Sequence, residues 1–112
     1  MNFGLNNIVK SSDNLHQIKK ADLRPGDELH LKTKNSVYHI MVDSDGEYLV
    51  SGGWFDKTSV SPVKAKINGC TWGGSVIKTD IVAAQGLFLE FGNRVVTSSI
   101  ESIFFLPGRM KN

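Results

Sequence analysis

Cysteine is nearly missing from this chain: Cys70 is the single one among 112 residues. That excludes an intrachain disulfide framework and any multi-cysteine zinc site, and it points to a reducing compartment. Long apolar runs are missing too. No stretch approaches the ~20 apolar residues that a membrane-crossing helix needs, and the opening MNFGLNNIVKSSDNLHQ has neither a basic leader nor an unbroken apolar segment. No signal peptide is expected, and the expected location is cytoplasmic. Blocks of one charge are absent as well. Thirteen Lys+Arg and eleven Asp+Glu are interspersed and leave a formal charge of +2. That field is too weak to argue for DNA on charge alone, because phosphate binding needs clustered cations.

What remains is ordinary globular usage, 40% hydrophobic and 21% charged, in a length that suits one compact domain. The chain divides into a polar N-terminal segment over 1–22, a single small β-barrel domain over 23–107 and a C-terminal tail over 108–112. In the first segment, Ser12 as an N-cap with Leu15 and Ile18 at helical spacing predicts a short helix.

The domain reads as β. Pro25-Gly26 has type II turn chemistry, and apolar alternation begins directly after it. A turn at Asn35-Ser36 pairs Leu29 with Val42, Leu31 with Ile40 and Thr33 with Tyr38, all on one face. A loop at Ser44-Asp45-Gly46, ending in a bulge, then pairs Val42 with Tyr48 and Ile40 with Val50. PVKAKING alternates Val63, Ala65 and Ile67 against Lys64 and Lys66, as a strand with one wet face. SVIKTDIVAAQG fits either a short strand or a turn of helix, and GLFLEFGNRVVTSS reads as a hairpin with Gly92-Asn93 at its tip. Ile100 and Ile103, at helical spacing, predict a 3₁₀ turn feeding a last strand that ends at Pro107-Gly108. About six short strands in this order predict an all-β fold, an SH3-like barrel of meandering hairpins.

Two mirrored stretches, Gly52-Gly53-Trp54 and Trp72-Gly73-Gly74, are the first candidates for a site. Phosphate loops need glycines leading into a helix, and TWGGSVIK fits neither the P-loop nor the dinucleotide spacing. Turns or bulges are the simpler explanation of the glycines. Trp54, Phe55 and Trp72 suit lids over a small core, and they also suit an exposed aromatic platform. The ligand-binding candidates are Trp54, Phe55, Trp72, Gly73, Gly74 and Lys78.

No catalytic residue is assigned. Cys70 has no cation or helix N-terminus beside it to activate a thiol, and Thr97, Ser98 and Ser99 read as caps of the 3₁₀ turn. On the polar face of the first hairpin lie Glu28, His30 and Lys32, with His39, Met41 and Asp43 on the facing strand. The turn at Asn35-Ser36 makes His30 and His39 diagonal neighbours, ~7–8 Å apart at Cα. Two imidazoles with nearby carboxylates are metal-ligand chemistry. Against it, Lys32 beside His39 would repel a cation, and no H-x-H or H-x-x-E-H spacing occurs. The expectation is therefore no metal and no cofactor, with His30 and His39 as the weak candidates for a metal.

Taken together, LRPGDELHLKTKNSVYHI, SGG, INGCTWGGSVIK, GLFLEF and VVTSSIESI carry the pattern PGD, T-x-N-S-x-Y, GG, G-x-x-x-GGS and TS-x-I. From Leu23 to Ile103 the chain resembles a group of short bacterial β-rich proteins that have no assigned activity. The resemblance implies that the glycines and Thr97-Ser98 are shared framework and that Trp54, Phe55 and Cys70 are local variations. It transfers no catalytic residue.

The function expected is a non-enzymatic interaction module that contacts a protein, peptide or small ligand through its aromatic and glycine loops. The alternative is a single-stranded nucleic-acid binder, with Trp54 and Phe55 stacking bases and Lys57, Lys64, Lys66 and Lys78 meeting phosphates. A third is a metal-binding protein or small enzyme using His30 and His39. No membrane partner is expected.

Overall fold

The computed structural model describes residues 16–44, 46–58, 61–73 and 76–108. In chain order it has β1 (Gln17–Lys19), a 3₁₀ turn (Lys20–Asp22), β2 (Glu28–Thr33), β3 (Val37–Ser44), β4 (Glu47–Gly52) and a short helix α1 (Gly53–Lys57). There follow β5 (Val63–Ala65), β6 (Ile67–Thr71), β7 (Ile77–Lys78), β8 (Ile81–Ala84), β9 (Phe88–Phe91) and β10 (Ile100–Leu106). The strands form three antiparallel sheets, ordered β10-β2-β3-β4-β5, β7-β6-β9 and β1-β8. No helix among the described residues is long and apolar enough to cross a membrane.

Alternation builds the largest sheet. Leu29, Leu31 and Thr33 of β2, Tyr38, Ile40 and Val42 of β3, and Tyr48 and Val50 of β4 are buried, and the residues between them face outward. The β3–β4 register, Ile40 to Val50 and Val42 to Tyr48, is the one the loop chemistry predicts. A bulge after Val42 and a positive φ of 75° at Gly46 close that loop.

The β2–β3 register differs from expectation: Leu29 faces Ile40 and Leu31 faces Tyr38. The turn sits on Lys34-Asn35, because the Thr33 side chain enters it. Thr33 N–H donates to the Ser36 carbonyl at 2.8 Å. Its hydroxyl donates to the same carbonyl at 3.0 Å and accepts from Ser36 N–H at 3.1 Å. Moving the turn by one residue moves the register by two, so every side chain keeps its predicted face.

The predicted SH3-like barrel is not formed. Closure needs the two edge strands of a sheet to pair, but β10 and β5 remain edges, and ten strands among the described residues are spread over three open sheets. The break falls at Lys66. Val63–Ala65 pairs with β4, whereas Ile67–Thr71 pairs with β7 and β9. What reads as one alternating strand is therefore two, in different sheets, joined by one residue. SVIKTDIVAAQG supplies strands on both sides of a turn, β7 and β8.

The last strand is also corrected. No 3₁₀ turn precedes it; β10 begins at Ile100, and a bulge between Ile100 and Ser102 inserts the exposed Glu101. The extra residue returns Ile103 to the core beside Ile100, so two buried isoleucines three apart arise without a helix. At the other end, Ser12 and Leu15 of the predicted helix lie outside the described residues, and Ile18 is buried in β1 against β8.

The sheets share one core. Its centre is a ring cluster in which Phe55 of α1 meets Tyr38 of β3 at 6.3 Å and Phe91 of β9 at 4.9 Å between centroids, both edge-on. Tyr38 and Phe91 are 5.9 Å apart. Burying each such ring contributes ~1.5–3 kcal/mol, so this cluster is a principal tie between the five-stranded and three-stranded sheets.

Candidate functional site

The first mirrored stretch is the exit of β4. Gly52 has φ 93° and Gly53 φ 48°. A Cβ on Gly52 would strike the Val37 carbonyl, and one on Gly53 would strike the Tyr38 ring, so glycine is required for the chain to turn against β3. The corner is then fastened by Gly52 N–H donating to Asp56 Oδ1 at 2.9 Å and by Trp54 N–H donating to the Tyr38 hydroxyl at 3.4 Å. The bond from Gly52, and a second from Ser61, hold the Asp56 carboxyl below its ordinary range.

This corner sends consecutive aromatics opposite ways: Phe55 is fully buried, while Trp54 is 41% exposed. Trp54 forms one wall of a groove of about 530 Å³ whose other lining includes Val63, Lys64, Ala65 and Lys66, with Gly92-Asn93 beside Lys66. The whole of β5, an edge strand, thus lines the groove. Sequence reasoning singled out Trp54 but not Val63, Ala65 or Asn93, because their meeting depends on the sheet switch at Lys66.

The second mirrored stretch lies beyond the far end of β6. Trp72 is 57% exposed, and Lys78 Nζ stands 5.4 Å from its ring centroid, a cation–π distance. Thr71 Oγ1 accepts from Gly73 N–H at 3.0 Å and donates to the Val76 carbonyl at 2.5 Å, which closes this corner from within. Gly74 lies outside the described residues. The predicted ligand-binding residues are therefore divided: Trp54 in the wall of the groove with the fully buried Phe55 behind it, and Trp72, Gly73 and Lys78 at the opposite end of β6.

A third grouping lies on the outer face of the five-stranded sheet. The actual β2–β3 register sets His30 directly opposite His39, where the predicted turn made them diagonal. Their rings stack at 4.3 Å between centroids with planes 24° apart. Glu28, two residues before His30 and so on the same face, takes a hydrogen bond from His39 Nε2 at 2.6 Å and lies 3.7 Å from His30 Nε2. The ligand atoms of all three lie within 4.8 Å of one another. Side-chain exposure is 16% for Glu28, 44% for His30 and 41% for His39. Burial lowers the His30 pKa from its ordinary 6.5, His39 pushes the same way, and Glu28 opposes both. Two imidazole nitrogens and one carboxylate are a donor set able to hold a transition-metal ion. Asp43, grouped with them on sequence, lies 3.4 Å from Lys64.

Cys70 is buried, and its thiol donates to the Val82 carbonyl at 3.4 Å. Burial pushes its pKa up to about 11, which leaves it a poor nucleophile at neutral pH. Thr97 and Ser98 serve the framework: Thr97 Oγ1 accepts from Leu89 N–H at 3.1 Å, and Ser98 Oγ accepts from Asn35 N–H at 3.0 Å. Comparison with protein-family models, with curated proteins and with solved structures finds no match for this chain.

Proposed function

We infer that the protein is a non-enzymatic interaction module that takes an extended segment of a protein partner along the groove beside Trp54. One observation carries this reading: an edge strand, β5, lines a groove of about 530 Å³ together with a half-exposed indole. An edge strand offers unpaired backbone groups to a peptide, and alternate side chains offer it specificity. Here Val63 and Ala65 supply apolar contact, while Lys66 favours acidic residues of the partner and Lys64 is already engaged by Asp43. Trp54 supplies rigid apolar area at little entropic cost. A cytoplasmic setting suits a chain whose single thiol is reduced and buried.

The nucleic-acid alternative is less well supported. Phe55 is buried and cannot stack on a base, and the two indoles stand at opposite ends of β6. The test uses the variant Trp72→Phe, which leaves Trp54 as the only tryptophan. A short peptide alternating aspartate with valine should blue-shift its emission in a saturable way, and Lys66→Glu should weaken the effect. No response to the peptide, with salt-dependent retention on a single-stranded oligonucleotide, would replace this reading by the nucleic-acid one.

A further inference from the structure

We propose that Glu28, His30 and His39 form a binding site for a first-row divalent transition-metal ion of the zinc type, held by two imidazole nitrogens and one carboxylate oxygen. Four features of the structure lead there.

Spacing is the first. A tetrahedral ion with bonds of ~2.0–2.1 Å to nitrogen and oxygen wants its donors roughly 3.3 Å apart. The separations to Glu28 Oε1, 2.6 Å from His39 Nε2 and 3.7 Å from His30 Nε2, straddle that value, and all three donors lie within 4.8 Å of one another. The two rings are stacked with planes 24° apart, so binding turns them out of the stack until both lone pairs meet on one ion.

The frame is the second. All three residues stand on paired strands inside a five-stranded sheet, His30 and His39 as a direct cross-strand pair. Phe104 of β10 presents an edge contact to the His30 ring at 6.1 Å between centroids, which restrains its swing. Ligands on rigid elements hold a metal geometry better than ligands on loops.

Charge is the third. Lys32 is the cation that counts against this site on sequence grounds, but it pairs with Val37 rather than His39, and its ammonium lies 3.9 Å from Glu101. With neutral imidazoles, Glu28 leaves the triad net negative. Nitrogen donors in the majority select zinc-like ions over magnesium or calcium, which favour all-oxygen shells.

The fourth is room. The side chains of His30 and His39 are 44% and 41% exposed, so solvent reaches both donors. Three protein donors leave a fourth position of a tetrahedral ion for water or a small ligand, the arrangement of an open rather than a purely structural site.

The test titrates zinc chloride into the full chain while NMR follows the ring signals of His16, His30 and His39. His16, whose Nδ1 lies 2.8 Å from Gln85 Oε1, is the internal control. His30 and His39 should move together and saturate at micromolar zinc, with His16 still and magnesium without effect. Glu28→Gln should weaken zinc at least ~10-fold, since even outer contacts of a metal site are worth that much. The amide spectrum reports whether this variant is folded, and His30→Gln, at a more exposed position, serves if it is not. The proposal is overturned if His16 responds at the same midpoint, if saturation needs millimolar zinc, if magnesium acts equally, or if folded variants keep the wild-type midpoint.

Discussion

Ser98 Oγ–H donates to Thr33 Oγ1 at 2.8 Å, tying the segment before β10 to the turn between β2 and β3. The Thr33 hydroxyl is thereby saturated, since it also accepts from Ser36 N–H and donates to the Ser36 carbonyl. Thr33→Val keeps the shape and strands these partners, so a loss of ~2 kcal/mol is expected in urea unfolding. Ser98→Ala should cost less. The double variant should cost less than the sum of the two, a sign that the hydroxyls act as a pair.

The two glycines at the β4 corner should not be equivalent. At Gly52 an added Cβ meets the Val37 backbone, which cannot retreat, on top of the ~1–3 kcal/mol that its conformation, φ 93° and ψ 173°, costs a non-glycine residue. At Gly53 it meets the ring of Tyr38, a side chain, which gives way only at the expense of its packing on Phe55 and Phe91. Equilibrium unfolding should therefore show Gly52→Ala as the more damaging change, at roughly 3 kcal/mol or more; equal losses would contradict the corner geometry.

Neighbouring aromatics should separate stability from binding. Phe55→Ala removes a ring from the centre of the core, with an expected cost of ~3–5 kcal/mol. Trp54→Ala alters a half-exposed wall of the groove and should cost about 1 kcal/mol or less. Peptide binding should disappear in the Trp54 variant at full foldedness, as read by near-ultraviolet circular dichroism.

Alkaline pH should weaken the fold in a defined window. The Cys70 thiol is raised from an ordinary 9.0 to about 11 by burial, so the unfolded chain loses this proton before the folded one does. Stability that is complete below about 9 is then lost as pH rises toward about 11. Cys70→Ala should flatten the first part of that decline. A remainder should persist above 10, because burial also raises the Tyr48 phenol from its ordinary 10.0. A thiol reagent at pH 8 should label Cys70 at the rate of unfolding; rapid labelling of the native chain would contradict the burial.

What was legible in the sequence was the side of each strand, and less so its neighbours. Period-two alternation placed Leu29, Leu31, Tyr38, Ile40, Val42, Tyr48 and Val50 on the inner face, because burial acts on every second residue whatever the register. The β3–β4 pairing followed from the glycine loop. The β2–β3 turn was misplaced by one residue because the Thr33 hydroxyl accepts the Ser36 N–H, a role that hairpin patterns assign to a backbone carbonyl. Ile100 and Ile103 looked helical because a bulge and a helix produce the same spacing of three. The open architecture was hidden at Lys66, where alternation continues unbroken through a change of sheet.

The site was legible in parts. His30 and His39 were identifiable as same-face histidines, but their direct opposition, and the choice of Glu28 over Asp43 as their carboxylate, depended on that single-residue turn placement. The groove beside Trp54 had no sequence signal, since its walls come from α1, β5 and the Gly92-Asn93 tip, which only folding brings together.

The ring cluster of Tyr38, Phe55 and Phe91 draws on both sides of the crossing at Lys66. A chain severed there would carry two of the rings on one piece and the third on the other. Each piece would present a sticky hydrophobic flank that its counterpart alone is shaped to cover, so the halves are expected to fold on meeting and not apart.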